Sequence, residues 1–168
     1  NPLSFRKNAG LDILSRAVRR TALLFALSTL TLVWVPGLDA KMRVERLWLI
    51  ASDGREQPIA VEIAAGPEEK RVGLMFRTYL ADGNGMLFPY ETPQEVTMWM
   101  RNTYIPLDMV FIRADGVVHR VEKRAEPMSE RIIASQGPVT AVLELAGGAV
   151  DRLGLKPGDR VRHPHFSE

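Results

Sequence analysis

Short apolar segments alternate with turn signals along the chain after residue 40. Turn-forming pairs such as Asp53-Gly54 divide this region into segments of strand length. Asp115-Gly116 lies between two apolar runs and predicts a hairpin, with positive φ at both central positions of a two-residue turn. The predicted strands lie near 43–51, 57–64, 85–89, 96–101, 107–113, 117–123, 139–146 and 159–163.

Two segments have the pattern of short helices instead. In the first, Pro67 fits the first helical position, and Val72, Met75 and Phe76 would share one face. The second is predicted at Ala149–Leu153, where the following glycine would end it. Many strands, tight turns and few helices predict a mainly β fold: a compact antiparallel β sandwich or barrel with one or two short helices.

The first 40 residues differ in character from the rest of the chain. Three arginines precede the uncharged run Thr21–Val35, and Pro36-Gly37 ends this run. This pattern is typical of a signal peptide, and the apolar run is shorter than the ~20 residues that cross a bilayer comfortably. We predict that 1–40 is a signal peptide or an N-terminal anchor and that 41–168 is a single β-rich domain. The domain would then be exported, periplasmic or extracellular, and would meet the membrane only through an uncleaved N-terminal segment.

Charge and composition exclude several classes of function. The chain of 168 residues has a formal net charge of +2, and residues 1–40 carry five basic but only two acidic side chains. The rest is nearly neutral, so we expect no nucleic-acid partner. The absence of cysteine excludes disulfides, a thiol nucleophile and a cysteine-based zinc site. No glycine-rich segment has the strand–loop–helix context of a phosphate site, and we expect neither a cofactor nor a metal.

Several motifs occur in a fixed order: GLMFR (Gly73–Arg77), GMLF (Gly85–Phe88), MWMRNTYIPLDMVFI (Met98–Ile112), ADGVV (Ala114–Val118) and VLELAGG…RLGLKPGDRV (Val142–Val161). With this ordered set, the chain resembles the prokaryotic domain-of-unknown-function family 192 (DUF192) across roughly residues 57–163. The resemblance implies a compact β-rich sandwich with short helices, commonly preceded by a signal sequence. It implies no reaction, because the family has no assigned activity.

The long motif contains the polar residues Arg101-Asn102-Thr103 between two apolar runs. Trp99 can pack in the core or line a cleft for a planar ligand or a sugar. Asn102 and Thr103 can stabilise a sharp turn, or they can orient a ligand with their amide and hydroxyl groups. The sequence leaves these alternatives open. The candidate ligand-binding residues are Trp99, Asn102, Thr103 and Arg77.

Two carboxylates interrupt apolar strands. Asp108 follows the Pro106 turn, and Glu144 lies within VLELAGG. A buried carboxylate needs partners. As a structural element, Asp108 would fasten the corner at Pro106. As a catalytic residue it would need a second group, and Glu144 is the candidate, at the ~5–10 Å separation of paired-carboxylate glycosidases.

Three functions remain. The first is a non-enzymatic exported module that binds a small molecule, a glycan or a peptide. The second is an envelope interaction or assembly partner that has no pocket, and the third is an acid–base hydrolase using Asp108 and Glu144. The sequence favours the binding module, since it contains no recognisable catalytic set. The pattern does not indicate an oligomeric state.

Overall fold

A single sheet of seven strands, curled into a half-barrel, forms the body of the fold. The computed structural model describes residues 42–166, so the signal peptide or anchor predicted at 1–40 lies outside the described residues. The strands are β1 (Val44–Ile50), β2 (Glu56–Ile63), β3 (Asn84–Met98), β4 (Leu107–Ile112), β5 (Val118–Ala125), β6 (Ile133–Ala146) and β7 (Arg160–Arg162). Two short helices, α1 (Pro67–Val72) and α2 (Ala149–Leu153), complete the fold. The prediction of a mainly β fold with one or two short helices is confirmed.

The strand order across the sheet is β5-β4-β6-β3-β2-β1-β7. Neighbouring strands are antiparallel except β2 and β3, which are parallel and joined by the crossover that contains α1. The two outermost strands also meet. An antiparallel bridge joins Val117 to Arg160, and the Val161 N–H donates to the Gly116 carbonyl at 2.7 Å. The curled sheet is thus linked from its first edge to its last.

Three local predictions differ from the structure. The strands predicted at 85–89 and 96–101 are one strand, β3, whose register shifts in its exposed middle. The first helix ends at Gly73, which has φ +48°, so Met75 and Phe76 lie beyond it in a turn. The predicted hairpin is present between β4 and β5, but only Gly116 has positive φ (+74°). The connection is a three-residue loop closed by a left-handed glycine, and not the two-residue turn.

Both faces of the sheet are covered in its central part. On the first face, Leu143 and Leu145 belong to a core cluster with Val150 of α2. On the second face, Leu74 from the turn after α1 belongs to a cluster with Phe88. All six residues of β4 are buried as a result, which explains its continuous apolar run. The segment that covers the second face also forms one wall of the candidate site.

Candidate functional site

A cleft of about 390 Å³ lies between α1 and the second face of the sheet. One wall comes from α1 and the turn that follows it, and the floor comes from β3 and β6. The third side is the corner between β3 and β4. The side chains that give the cleft its chemistry are Lys70, Tyr90, Trp99, Arg101, Thr103 and Glu144.

Glu144 is the least exposed polar residue that lines the cleft. Its backbone pairs with Met86 of β3 and Met109 of β4, so it lies in the middle of the sheet among apolar side chains. The residue is only 4% exposed, and within residues 42–166 no group forms a hydrogen bond or an ion pair with its carboxyl. Burial raises the pKa of Glu144 to about 8, because the charged form loses its hydration and gains no partner. The carboxyl is therefore mostly protonated at neutral pH.

Two cations lie over aromatic rings of the same cleft. The Lys70 ammonium is 4.4 Å from the centroid of the Tyr90 ring, and the Arg101 guanidinium is 5.7 Å from that of Trp99. Burial, and next the charge of Glu144, raise the pKa of Tyr90, so its hydroxyl remains protonated beside that carboxyl. Cation–aromatic contacts of this kind hold long basic side chains in place at a modest energetic gain. The cleft thus combines aromatic walls with two basic groups.

The corner after β3 is shaped by three residues with left-handed backbones. Asn102 has φ 56°, and the Thr103 N–H donates to the Met100 carbonyl at 3.1 Å, which closes the turn. Phe76 (φ 63°) donates its N–H to the Asn102 carbonyl, and Met128 (φ 62°) donates to the Thr103 carbonyl. Such conformations are costly for residues other than glycine and asparagine. Several backbone groups of the corner are therefore engaged in structural hydrogen bonds.

The structure brings only part of the predicted ligand set to the cleft. Trp99 lines it and is 42% exposed, and Thr103 lines it while its hydroxyl donates to the Arg101 carbonyl at 3.3 Å. Asn102 is not among the lining residues, and its amide lies 3.9 Å from the Met75 sulfur. Trp99 and Thr103 thus line the same cleft as Glu144, whereas Asn102 forms part of the turn after β3.

Arg77, the fourth member of the predicted ligand set, lies elsewhere. Its guanidinium forms a bidentate pair with Glu62 of β2, at 2.7 and 2.6 Å. This hydrogen-bonded pair holds the pKa of Arg77 above its usual range. Arg77 lines a separate depression beside Asn84 and Gly85. Its charge is neutralised there and does not contribute to the Glu144 cleft.

Asp108 is fully buried and satisfied by two backbone amides. Its carboxylate oxygens accept hydrogen bonds from the N–H of Arg124 at 2.7 Å and from the N–H of Val150 at 2.8 Å. Val150 lies in the first turn of α2, where backbone N–H groups have no partner within the helix. The nearby Pro106 carbonyl accepts from the Gly147 N–H at 2.8 Å. Asp108 and Pro106 therefore both fasten the start of β4 to the segment that follows β6.

Asp108 and Glu144 lie on opposite faces of the sheet. In the β4–β6 ladder Asp108 pairs with Leu145, and Met109 pairs with Glu144. Successive side chains of a strand point to opposite faces, so Asp108 shares the first face with Leu145, and Glu144 faces the cleft on the second. The two carboxyl groups do not share a cavity. The acid–base pair predicted from the sequence is therefore not formed.

The cleft includes residues that the sequence analysis did not single out. Tyr90 lies two positions after Phe88 along β3, a period-two spacing that would have placed both on one face. Lys70 lies on α1, and no sequence signal indicates that it reaches the sheet. Between Met42 and Phe166 no three potential metal ligands cluster together. That same part of the chain contains no helix long and apolar enough to span a membrane.

The fold and the cleft define a mainly β domain that has a polar and aromatic cleft on the second face of its sheet. Residues 49–163 match the family DUF192 (Uncharacterized ACR), and the chain belongs to this family. The resemblance noted from the motifs is therefore confirmed. No curated protein matches the chain.

Two crystal structures of similar proteins share the fold. One is a protein from Sinorhizobium meliloti that is provisionally described as a transcription regulator. It is 45% identical with a TM-score of 0.73, and the match covers 74% of this chain and 97% of that one. The other is a protein of unknown function from Novosphingobium aromaticivorans, 38% identical with a TM-score of 0.71, and here the match covers 76% of this chain and 90% of that one.

Proposed function

We propose that this protein is a non-enzymatic binding module of the cell envelope, whose cleft takes a small molecule, a glycan or a peptide. The observation that carries the proposal is the Glu144 carboxyl, which is buried, has no partner among the described residues and lines an open cleft. A buried polar group without a hydrogen bond costs stability, so its presence in a native structure calls for an explanation. A bound ligand would supply the missing partner.

The size and lining of the cleft suit such a ligand. Its volume of about 390 Å³ falls in the range of small-molecule sites, ~300–1,000 Å³. Trp99 and Tyr90 offer aromatic surface, and Thr103 adds a polar group near the corner. Aromatic walls with a few fixed polar groups are the usual composition of a binding cleft.

The positions of Asp108 and Glu144 do not support the alternative of an acid–base hydrolase. Asp108 is satisfied by backbone amides on the opposite face from Glu144, so no second carboxylate joins Glu144 in the cleft. Paired-carboxylate hydrolysis needs both groups at one scissile bond.

An exposed apolar patch favours a second candidate function, an envelope interaction partner. Phe76 and Tyr104 are largely exposed and contact each other edge to face, with ring centroids 6.1 Å apart. Met128, also exposed, donates a backbone hydrogen bond to the same corner. Clustered exposed apolar side chains are typical of protein interaction sites. This patch adjoins the corner and not the floor of the cleft.

A thermal-shift screen of a compound library against the full chain tests the binding proposal. We expect at least one class of compound to raise the Tm of the wild type but not of Trp99→Ala. Phe76→Ala is the matched control, because it removes another exposed aromatic side chain that does not line the cleft. If no compound stabilises the wild type more than Trp99→Ala, the cleft has no binding role. If Phe76→Ala alone loses the response, the patch is the binding surface.

Export and the absence of a nucleic-acid partner are further parts of the proposal. Residues 1–40 have the composition of a signal peptide or anchor, and fractionation with mass analysis would find the protein outside the cytoplasm, either shortened or held in the membrane. The Sinorhizobium meliloti protein is provisionally described as a transcription regulator. Residues 41–168 of this chain have nearly equal numbers of acidic and basic side chains, which supports a partner other than nucleic acid.

A further inference from the structure

The Glu144 carboxyl is a hydrogen-bond donor that lacks an acceptor. A protonated carboxyl group offers one O–H donor together with acceptor oxygens. With its pKa raised to about 8, Glu144 carries this proton at neutral pH, and no described residue accepts it. A ligand oxygen placed at the bottom of the cleft would accept that hydrogen bond. An entirely apolar ligand would leave the group unsatisfied at a cost.

The charges at the cleft are predominantly positive. Of its basic residues, Arg71 is neutralised by a bidentate pair with Glu68. Within residues 42–166, Lys70 has no carboxylate within 4.0 Å, and Arg101 has only the exposed Glu130 at 3.8 Å. Exposed pairs of that length contribute little. Lys70 and Arg101 therefore remain as basic groups available to a ligand.

Burial alone raises the pKa of Glu144, with no contribution from these cations. Neither cation forms a hydrogen bond or an ion pair with this carboxyl. The cleft thus has two separate polar regions, one that donates a hydrogen bond without charge and one that is cationic. A cationic ligand would be repelled by Lys70 and Arg101, whereas a ligand that carries both a hydroxyl or carbonyl oxygen and an anionic group would satisfy both regions.

We propose that the ligand is a small hydroxylated anion of the sugar-acid class, whose carboxylate pairs with a basic group of the cleft, Lys70 or Arg101, while a neutral oxygen accepts the hydrogen bond of Glu144. The faces of Trp99 and Tyr90 pack against its ring. This inference rests on the binding function proposed above and adds the chemistry of the ligand.

Calorimetric titration of the full chain with sugars that differ in charge tests the ligand class. The compounds are glucuronate and galacturonate, the neutral sugars glucose and galactose, and the cationic glucosamine and galactosamine. We expect each acid that binds to do so about tenfold more tightly than its neutral counterpart, since a pair with a placed cation is typically of that strength, and the amino sugars to bind most weakly. If neither acid binds more tightly than its neutral sugar, the proposal is overturned.

The same titration with substituted proteins tests whether Lys70 binds the acidic group of the ligand. Lys70→Met is expected to weaken binding of the acid by about tenfold and to leave the neutral sugar unaffected. Lys156→Met is the matched control, because it removes the same charge at an exposed position that does not line the cleft. Equal effects of the two variants would show that only net charge matters and would overturn the assignment of Lys70.

The pH dependence tests the role of Glu144. Affinity for the acid is expected to fall as the pH rises through about 8, because Glu144 then loses its donor and gains a negative charge. The other ionisable groups of the cleft are Lys70 and Arg71 from α1, Tyr90 from β3 and Arg101 from the corner, and β4 contributes Met109 beside Glu144. Glu144→Gln keeps an uncharged donor and should bind the acid with no loss across this range. A loss of the same size in the variant would contradict the proposal.

The thermal-shift screen distinguishes a failure of the proposed ligand class from a failure of the proposed binding function. A neutral or cationic compound that stabilises the wild type but not Trp99→Ala would overturn the ligand class and leave the binding function standing. Failure of every compound to stabilise the wild type would overturn both.

Discussion

Replacing Glu144 by glutamine tests whether the cleft carboxyl keeps its proton in the folded domain. In the unfolded chain this carboxyl has its ordinary pKa of 4.5, and in the folded domain burial raises the pKa to about 8. Between these values the folded state holds a proton that the unfolded state has lost. Wild-type stability therefore falls as the pH rises from 4.5 towards 8, and this contribution is constant below and above that interval.

The magnitude follows from the pKa difference. One pKa unit corresponds to about 1.4 kcal/mol, so raising the pKa from 4.5 to about 8 costs the wild type about 5 kcal/mol above pH 8. At neutral pH the cost is about 3 kcal/mol. Glu144→Gln does not ionise, and any cost of its unpaired amide is the same at every pH. The stability of the variant minus that of the wild type should therefore rise by about 4 kcal/mol from about pH 5 to pH 9.

Urea unfolding of both proteins across this pH range measures the difference. Other groups titrate in both proteins, so their contributions cancel in the subtraction. Glu95→Gln is the control, because it removes an exposed carboxylate from β3 and should change stability by less than about 0.5 kcal/mol throughout. A difference for Glu144→Gln that stays constant with pH would show that the carboxyl is solvated or paired, and would remove the main support for the binding site.

Two further substitutions test how the fold builds the site. Asp108→Ala removes the acceptor of two buried backbone N–H groups and should lower the free energy of unfolding by about 3–5 kcal/mol in urea titrations, with Asp108→Asn clearly less damaging. Equal stabilities of the two variants would contradict this role. Gly73→Ala places a Cβ 3.1 Å from the Phe88 ring at φ +48° and should cost about 1–3 kcal/mol by the same measurement. Gly83→Ala, also at positive φ but with open space around it, should cost less than Gly73→Ala.

Features set by neighbouring residues could be predicted from the sequence. The second helix has the predicted bounds, Ala149–Leu153, because a glycine stops it locally. The hairpin at Asp115-Gly116 is present because turn residues and flanking apolar runs define it together. The middle of β3 could not be recognised as a strand, because Glu91 to Glu95 are exposed and include no large apolar residue, although the strand continues along β6.

Features that depend on the pairing register between distant strands could not be predicted from the sequence. Asp108 and Glu144 both interrupt apolar strands, and nothing in their local sequence tells which face each one occupies. That outcome depends on the pairing of Asp108 with Leu145 across two strands more than thirty residues apart in the chain. The presence of Lys70 in the same cleft as Glu144 similarly requires the crossover from β2 to β3 to place α1 over the sheet.

The link between the two outermost strands bears on how this protein resists aggregation. A free strand edge can pair with another molecule, and proteins protect such edges by shortening, covering or joining them. Here the edges of β5 and β7 are joined at Val117 and Arg160, and an added Cβ at Gly116 would lie 2.6 Å from the Val161 carbonyl. A larger side chain at Gly116 would force this junction apart without touching the cleft. It would release both ends of the sheet at once, so self-association on storage or heating would increase before binding is lost.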